Sequence, residues 1–128
     1  MDRKIVLTAA LLGGISIILG AFGAHALKKV IGVNALATFE TGVRYQMYHA
    51  LFLLFLASNK VIQEKTKKVI LLLIIFGVLF FSGSIYLLAT NELTAFDFKV
   101  IGFVTPIGGL LLIIAWILLF IDFLKNKA

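Results

Sequence analysis

"NALATFETGVRYQMYHALFLLFLA", residues 34–57, decides whether this chain has three membrane spans or four. Its more apolar end, 45–57, is only 13 residues long. That makes about 20 Å of helix at ~1.5 Å per residue, short of the ~30 Å of a hydrocarbon core. To cross, the helix must borrow length from the residues before it, and polar side chains then enter the membrane. The segments 5–27, 69–90 and 100–121 raise no such question, because each is apolar over the roughly 20 residues that a span requires. The fold class read from this pattern is an all-α membrane protein. It is an antiparallel four-transmembrane-helix bundle with helices at about 5–27, 35–58, 69–90 and 98–121 and an interfacial start to the second helix. Residues 1–128 then form a single integral membrane domain, since the short connections leave no room for a water-soluble unit.

Composition agrees with this placement. The chain is 62% hydrophobic and 14% charged, which is foreign to a soluble domain. It has no cysteine, so disulfides, iron–sulfur ligation and thiol chemistry are excluded. In a soluble protein the net charge of +6 would point to nucleic acid; here topology accounts for it, and no nucleic-acid partner is expected. With both termini and the middle connection on one side, that side collects Arg3, Lys4, Lys60, Lys65, Lys67, Lys68, Lys125 and Lys127. The other side receives Lys28, Lys29, Arg44 and Lys99. The bias puts the termini in the cytoplasm of a cell whose plasma (inner) membrane holds the protein.

In the first helix Ala9, Gly13, Ser16, Gly20 and Gly23 recur at spacings of 4, 3, 4 and 3, one stripe of small side chains. Lipid tails are as apolar as leucine, so helices associate by close approach, which small residues permit. The stripe is read as a packing seam, for a neighbouring helix or for another copy in a homo-oligomer or larger membrane complex. "GAFGAHAL", 20–27, also carries the A-x-A pattern of a signal cleavage site after a basic start. Its apolar region is longer than a signal peptide's and bears that seam, so the segment is expected to stay, with His25 at the interface. Asn34 is expected to cap the second helix, and Pro106 to kink the fourth by leaving the Gly102 carbonyl without a donor.

Measured from the cytoplasmic ends at ~1.5 Å per residue, His49 lies at about 15 Å and Arg44, Tyr45 and Gln46 at about 20–22 Å. Ser82, Ser84 and Tyr86 lie at about 20–25 Å, and Thr105 at about 24 Å. Three helices therefore present polar groups in one layer of the outer half. On the second helix Thr38, Gly42, Tyr45, Gln46 and His49 share a face that should look into the bundle, with Glu40, Arg44, Met47 and Leu51 opposite. Glu40 and Arg44 stand four apart in the order that favours pairing, and Arg44 can equally snorkel to headgroups.

These motifs, "GAFGAHAL", "TGVRYQMYHAL", "FSGSIYLLA" and "TPIGG", resemble in order and over nearly the whole chain the family of small bacterial membrane proteins called domain of unknown function 423, related to transmembrane protein 256. The resemblance implies four membrane helices and supplies no catalytic residue.

Among functions, catalysis finds histidines, tyrosines and serines but no G-x-S-x-G, no H-E-x-x-H and no aspartate within a span to orient a histidine, so no enzyme is expected. A bis-histidine haem or metal site fails on depth, since His25 and His49 differ by about 15 Å, and no metal or cofactor is expected. An ion or proton path through His49 within one monomer has no cytoplasmic half, because the residues below it are almost all hydrocarbon, so a small ion- or proton-conducting channel or transporter using His49, with its pore between protomers, is kept as an alternative. The reading favoured is a lipid- or amphipathic-ligand-binding or membrane-complex assembly protein. Its polar pocket would be built from Arg44, Tyr45, Gln46, His49, Ser82, Ser84, Tyr86 and Thr105, with an anionic head at Arg44. A purely structural accessory subunit, with the layer only fastening helices, is the bland alternative.

Overall fold

The computed structural model describes residues 2–93 and 101–125, the side chain of Glu92 excepted. Four long helices carry the chain: α1, Asp2–His25; α2, Val33–Ser58; α3, Glu64–Ala89; and α4, Val104–Lys125. Short 3-10 turns at Leu27–Lys29 and Asn91–Leu93 follow α1 and α3. No strand occurs among the described residues. α1, α3 and α4 are long and apolar enough to cross a membrane, whereas α2 does not reach that apolarity.

The element boundaries depart from the sequence reading where polar residues cap apolar runs. α3 begins at Glu64, five residues before the foreseen start at 69, so "ASNKVIQEKTKK" is mostly helix and only a short link separates α2 from α3. α2 begins at Val33 with Gly32 as its N-cap, so Asn34 is inside the first turn rather than capping it; its carbonyl accepts from Thr38. α4 begins at Val104 after a turn at Gly102 and Phe103. Pro106 is therefore in the first helical turn, where the missing N–H has no helical acceptor to serve, and the expected kink has no cause. Pro106→Ala should accordingly shift the melting temperature in detergent by little, with a stability change within about 0.5 kcal/mol. The 98–100 start foreseen for the fourth helix, with Lys99, lies outside the described residues, as does Lys127.

α1 packs on α2, α2 on α3 and α3 on α4. A side chain on Gly13 would meet Ala50, on Gly20 Val43 and on Gly23 Phe39, so the small-residue seam of α1, with Ala9 and Ser16 buried beside it, is occupied by α2. Likewise Gly42 faces Ile85 and Tyr86, and Gly77 faces Leu112. The main core joins Ile5, Leu53, Leu56, Ile70, Ile74, Leu112 and Ala115 toward the end where α1 begins and α4 ends. A smaller cluster of Leu27, Ile31, Phe39 and Ala89 closes the opposite end. The buried polar residues Gln46 and His49 of α2 and Ser82 and Ser84 of α3 lie between the two.

Candidate functional site

The buried stripe of α2 is Phe39, Gly42, Gln46, His49, Leu53 and Leu56, a repeat of three and four residues that one helix face produces. It is rotated from the face read off the sequence. Thr38 and Tyr45 are exposed, because α2 is covered by α1 on one side and α3 on another, and this brings Phe39 and Ala50 inward instead. Tyr45 lies along the edge of the bundle, its ring 5.2 Å from that of Phe81.

Gln46 is the centre of the arrangement. It is 4% exposed; its Nε2 donates to the Leu12 carbonyl at 2.9 Å, and its Oε1 accepts from the Tyr86 hydroxyl at 2.6 Å. One carboxamide thus ties α2 to α1 and to α3. The same Leu12 carbonyl accepts from Ser16 Oγ at 2.8 Å. A carboxamide has a second N–H, and among the described residues it has no acceptor.

His49 serves a different interface. The Trp116 indole, which can only donate, gives its N–H to His49 Nε2 at 3.1 Å, so the ring proton sits on Nδ1 and is donated to the Tyr45 carbonyl at 2.7 Å. Both ring nitrogens are engaged. Ser82 Oγ donates to the Gly42 carbonyl at 2.7 Å, across α2 and α3, and Ser84 bonds Thr105 across α3 and α4. The eight residues foreseen as one pocket are therefore dispersed over several helix interfaces. Arg44 is exposed and donates to Thr41 Oγ1 rather than pairing with Glu40, which is also exposed. His25, exposed at the end of α1, is remote in sequence order and packing from His49. Among the described residues no three His, Cys, Asp or Glu side chains gather as metal ligands.

What Gln46 and Tyr86 do share is a cleft of about 560 Å³ between α1 and α3. Its walls are Leu11, Leu12, Ile15 and Leu19 on one side and Ile75, Val78 and Leu79 on the other, with Thr8 at one end. Gly83 borders this open space on the α3 side, since a Cβ placed there would meet no atom within 4 Å. A second, smaller groove of about 290 Å³ between α2 and α4 is lined by Tyr45, His49, Phe81 and Trp116. Neither Gly83 nor Trp116 is marked by polarity, which is why a search for polar side chains passes over them.

A family model described as "Protein of unknown function (DUF423)" matches residues 19–109. The chain belongs to the DUF423 family. A Haemophilus influenzae relative, named a UPF0382 membrane protein, is 36% identical over 128 residues, covering 100% of this chain and 99% of its own length. The Staphylococcus aureus UPF0382 membrane protein SAB0533 is 42% identical over 106 residues, 83% of each chain. The Escherichia coli UPF0382 inner membrane protein YgdD is 35% identical over 132 residues, 98% of this chain and 93% of its own. No solved structure matches. The matched DUF423 segment holds the Gln46 carboxamide, its Tyr86 partner, His49 and the Ser84–Thr105 contact, but not the Leu12 carbonyl or Trp116.

Two contacts at the end where α1 begins and α4 ends escaped the sequence reading. Lys67, 2% exposed, pairs with Asp2 at 3.0 Å, and Thr66 Oγ1 donates to Asp122 at 3.0 Å. Both lie outside the apolar runs that set the foreseen helix limits.

Proposed function

We propose that this DUF423 member is a non-enzymatic, multi-pass protein of the bacterial inner membrane, four antiparallel spans with both termini cytoplasmic, that holds an amphipathic lipid in the cleft between α1 and α3. The observation that carries this is the cleft itself: aliphatic walls, a glycine bordering its open space, and the Gln46–Tyr86 hydrogen-bonding pair at one place along it. Ligand sites have this make-up, an apolar cavity of ~300–1,000 Å³ with few placed polar groups. The modest apolarity of α2 does not oppose its crossing, since Gln46 and His49 are buried and partnered and so present nothing polar to hydrocarbon. The basic bias toward the terminal end supports the orientation.

The remaining polar contacts support the fastening role: His49–Trp116, Ser82–Gly42 and Ser84–Thr105 satisfy one another across helices. His49 in that arrangement has no free ring nitrogen for a proton path. A homo-oligomer or larger membrane complex would use the outer faces of α1 or α4, because the glycine seam is spent on α2.

Native mass spectrometry after extraction in mild detergent tests the site. A lipid-like mass should remain on the wild type and on Arg44→Ala, and be lost from Gly83→Leu, which fills the cleft with the bundle still folded. A bare wild-type protein, or a Gly83→Leu protein that keeps the mass, would end the proposal.

A further inference from the structure

We infer that the cleft selects an uncharged lipid, one that offers a carbonyl or hydroxyl oxygen to the second N–H of Gln46; this rests on the ligand reading above. Three observations carry it. Among the described residues no lysine, arginine, aspartate or glutamate lines the cleft, so none of them can neutralise a charged head there. Arg44, the cation closest in sequence to Gln46, is exposed and bonded to Thr41, away from it. The Gln46 carboxamide gives one N–H to Leu12 and accepts from Tyr86 on its oxygen, which fixes the orientation of the group and leaves its second N–H as a donor for the ligand. The Tyr86 oxygen keeps a lone pair, so a hydroxyl of the same ligand can donate in return.

Depth completes the argument. Gln46 stands about 20 Å from the cytoplasmic end of its span, well beneath the outer boundary of a ~30 Å core. An oxygen that bonds Gln46 must sink below the level where headgroups rest. A neutral head follows it at little cost, whereas a phosphate dragged to that depth loses water with no cation to meet it. The chain of the ligand then lies between Leu12 and Ile15 of α1 and Val78 of α3.

The test uses two probes that differ by one phosphate: dioleoylglycerol and dioleoyl phosphatidic acid, titrated onto the full-length protein in detergent and read by native mass spectrometry. The diacylglycerol should bind about ten-fold more tightly or better, with that binding lost in Gly83→Leu and weakened in Gln46→Leu. Equal or tighter binding of the phosphatidic acid overturns the selectivity and leaves the site standing. Failure of both probes to bind removes the site itself. Diacylglycerol binding that survives Gly83→Leu places the lipid elsewhere and overturns the inference as well.

Discussion

Gly108→Ala should be the most damaging single-methyl change in the chain. A Cβ at Gly108 would sit 2.3 Å from the Phe81 nitrogen, 2.7 Å from the Phe80 carbonyl carbon and 2.9 Å from the Gly77 oxygen. These are backbone atoms of α3, and no rotamer change can move them aside. Gly77 is the reciprocal half of the crossing, where a Cβ would stand 2.6 Å from Leu112 Cδ2. The two helices touch main chain to main chain, and alanine must push them apart. Separation loosens Leu112 and Ala115 in the core and stretches the Ser84–Thr105 contact nearby. The expected loss is about 3 kcal/mol or more, at the top of the overpacking range, and the ~1 kcal/mol that alanine gains over glycine in helix propensity does not offset it. Gly109→Ala is the control: its Cβ would lie 3.5 Å from the Phe81 ring, ordinary contact, and that variant should melt at or above the wild type. Equal melting of the two variants in detergent would show that α3 and α4 are not in backbone contact.

That crossing also marks the limit of what the chain reveals before folding. The seam on α1 is legible because five small residues repeat with a period, whereas Gly77 and Gly108 are one residue on each of two helices and form no pattern. Their partnership exists only once α3 and α4 are set side by side. The Gln46–Tyr86 contact was within reach, since depth along a helix is fixed by residue count and both fall at about 20–25 Å. The face of α2 was not, because a wheel drawn for one neighbour puts Tyr45 inside, while contact with both α1 and α3 turns Phe39 and Ala50 inward. Trp116 reads as one more apolar residue in α4, and only its indole N–H, pointed at His49, makes it a polar partner. Arg44 misled by charge alone: a cation near a polar layer invites an anion, but its side chain takes the opposite side of the helix from Gln46.

Asp2→Ala should destabilise the bundle, and adding Lys67→Met to it should restore most of the loss. Lys67 is 2% exposed and its amine is 3.0 Å from Asp2 Oδ1, whose side chain is 51% exposed. Removing the carboxylate takes its paired anion from an ammonium buried near the start of α3, and an unpaired charge in a closed interior costs ~3–5 kcal/mol. Asp2 is half in water, so solvent screens part of that, and about 1–3 kcal/mol is expected. Methionine in place of Lys67 keeps the stem that packs near Ile70 and Leu71 and removes the charge that needed a partner. The double variant should therefore melt within a few degrees of the wild type, while Asp2→Ala alone falls further and is the more sensitive of the two to low salt. The sign of the rescue separates two accounts of this contact. If the pair itself supplies stability, the double variant should be as weak as the single one. If burial of a lone charge is what costs, as the exposures of 2% and 51% imply, the second substitution must raise the melting temperature.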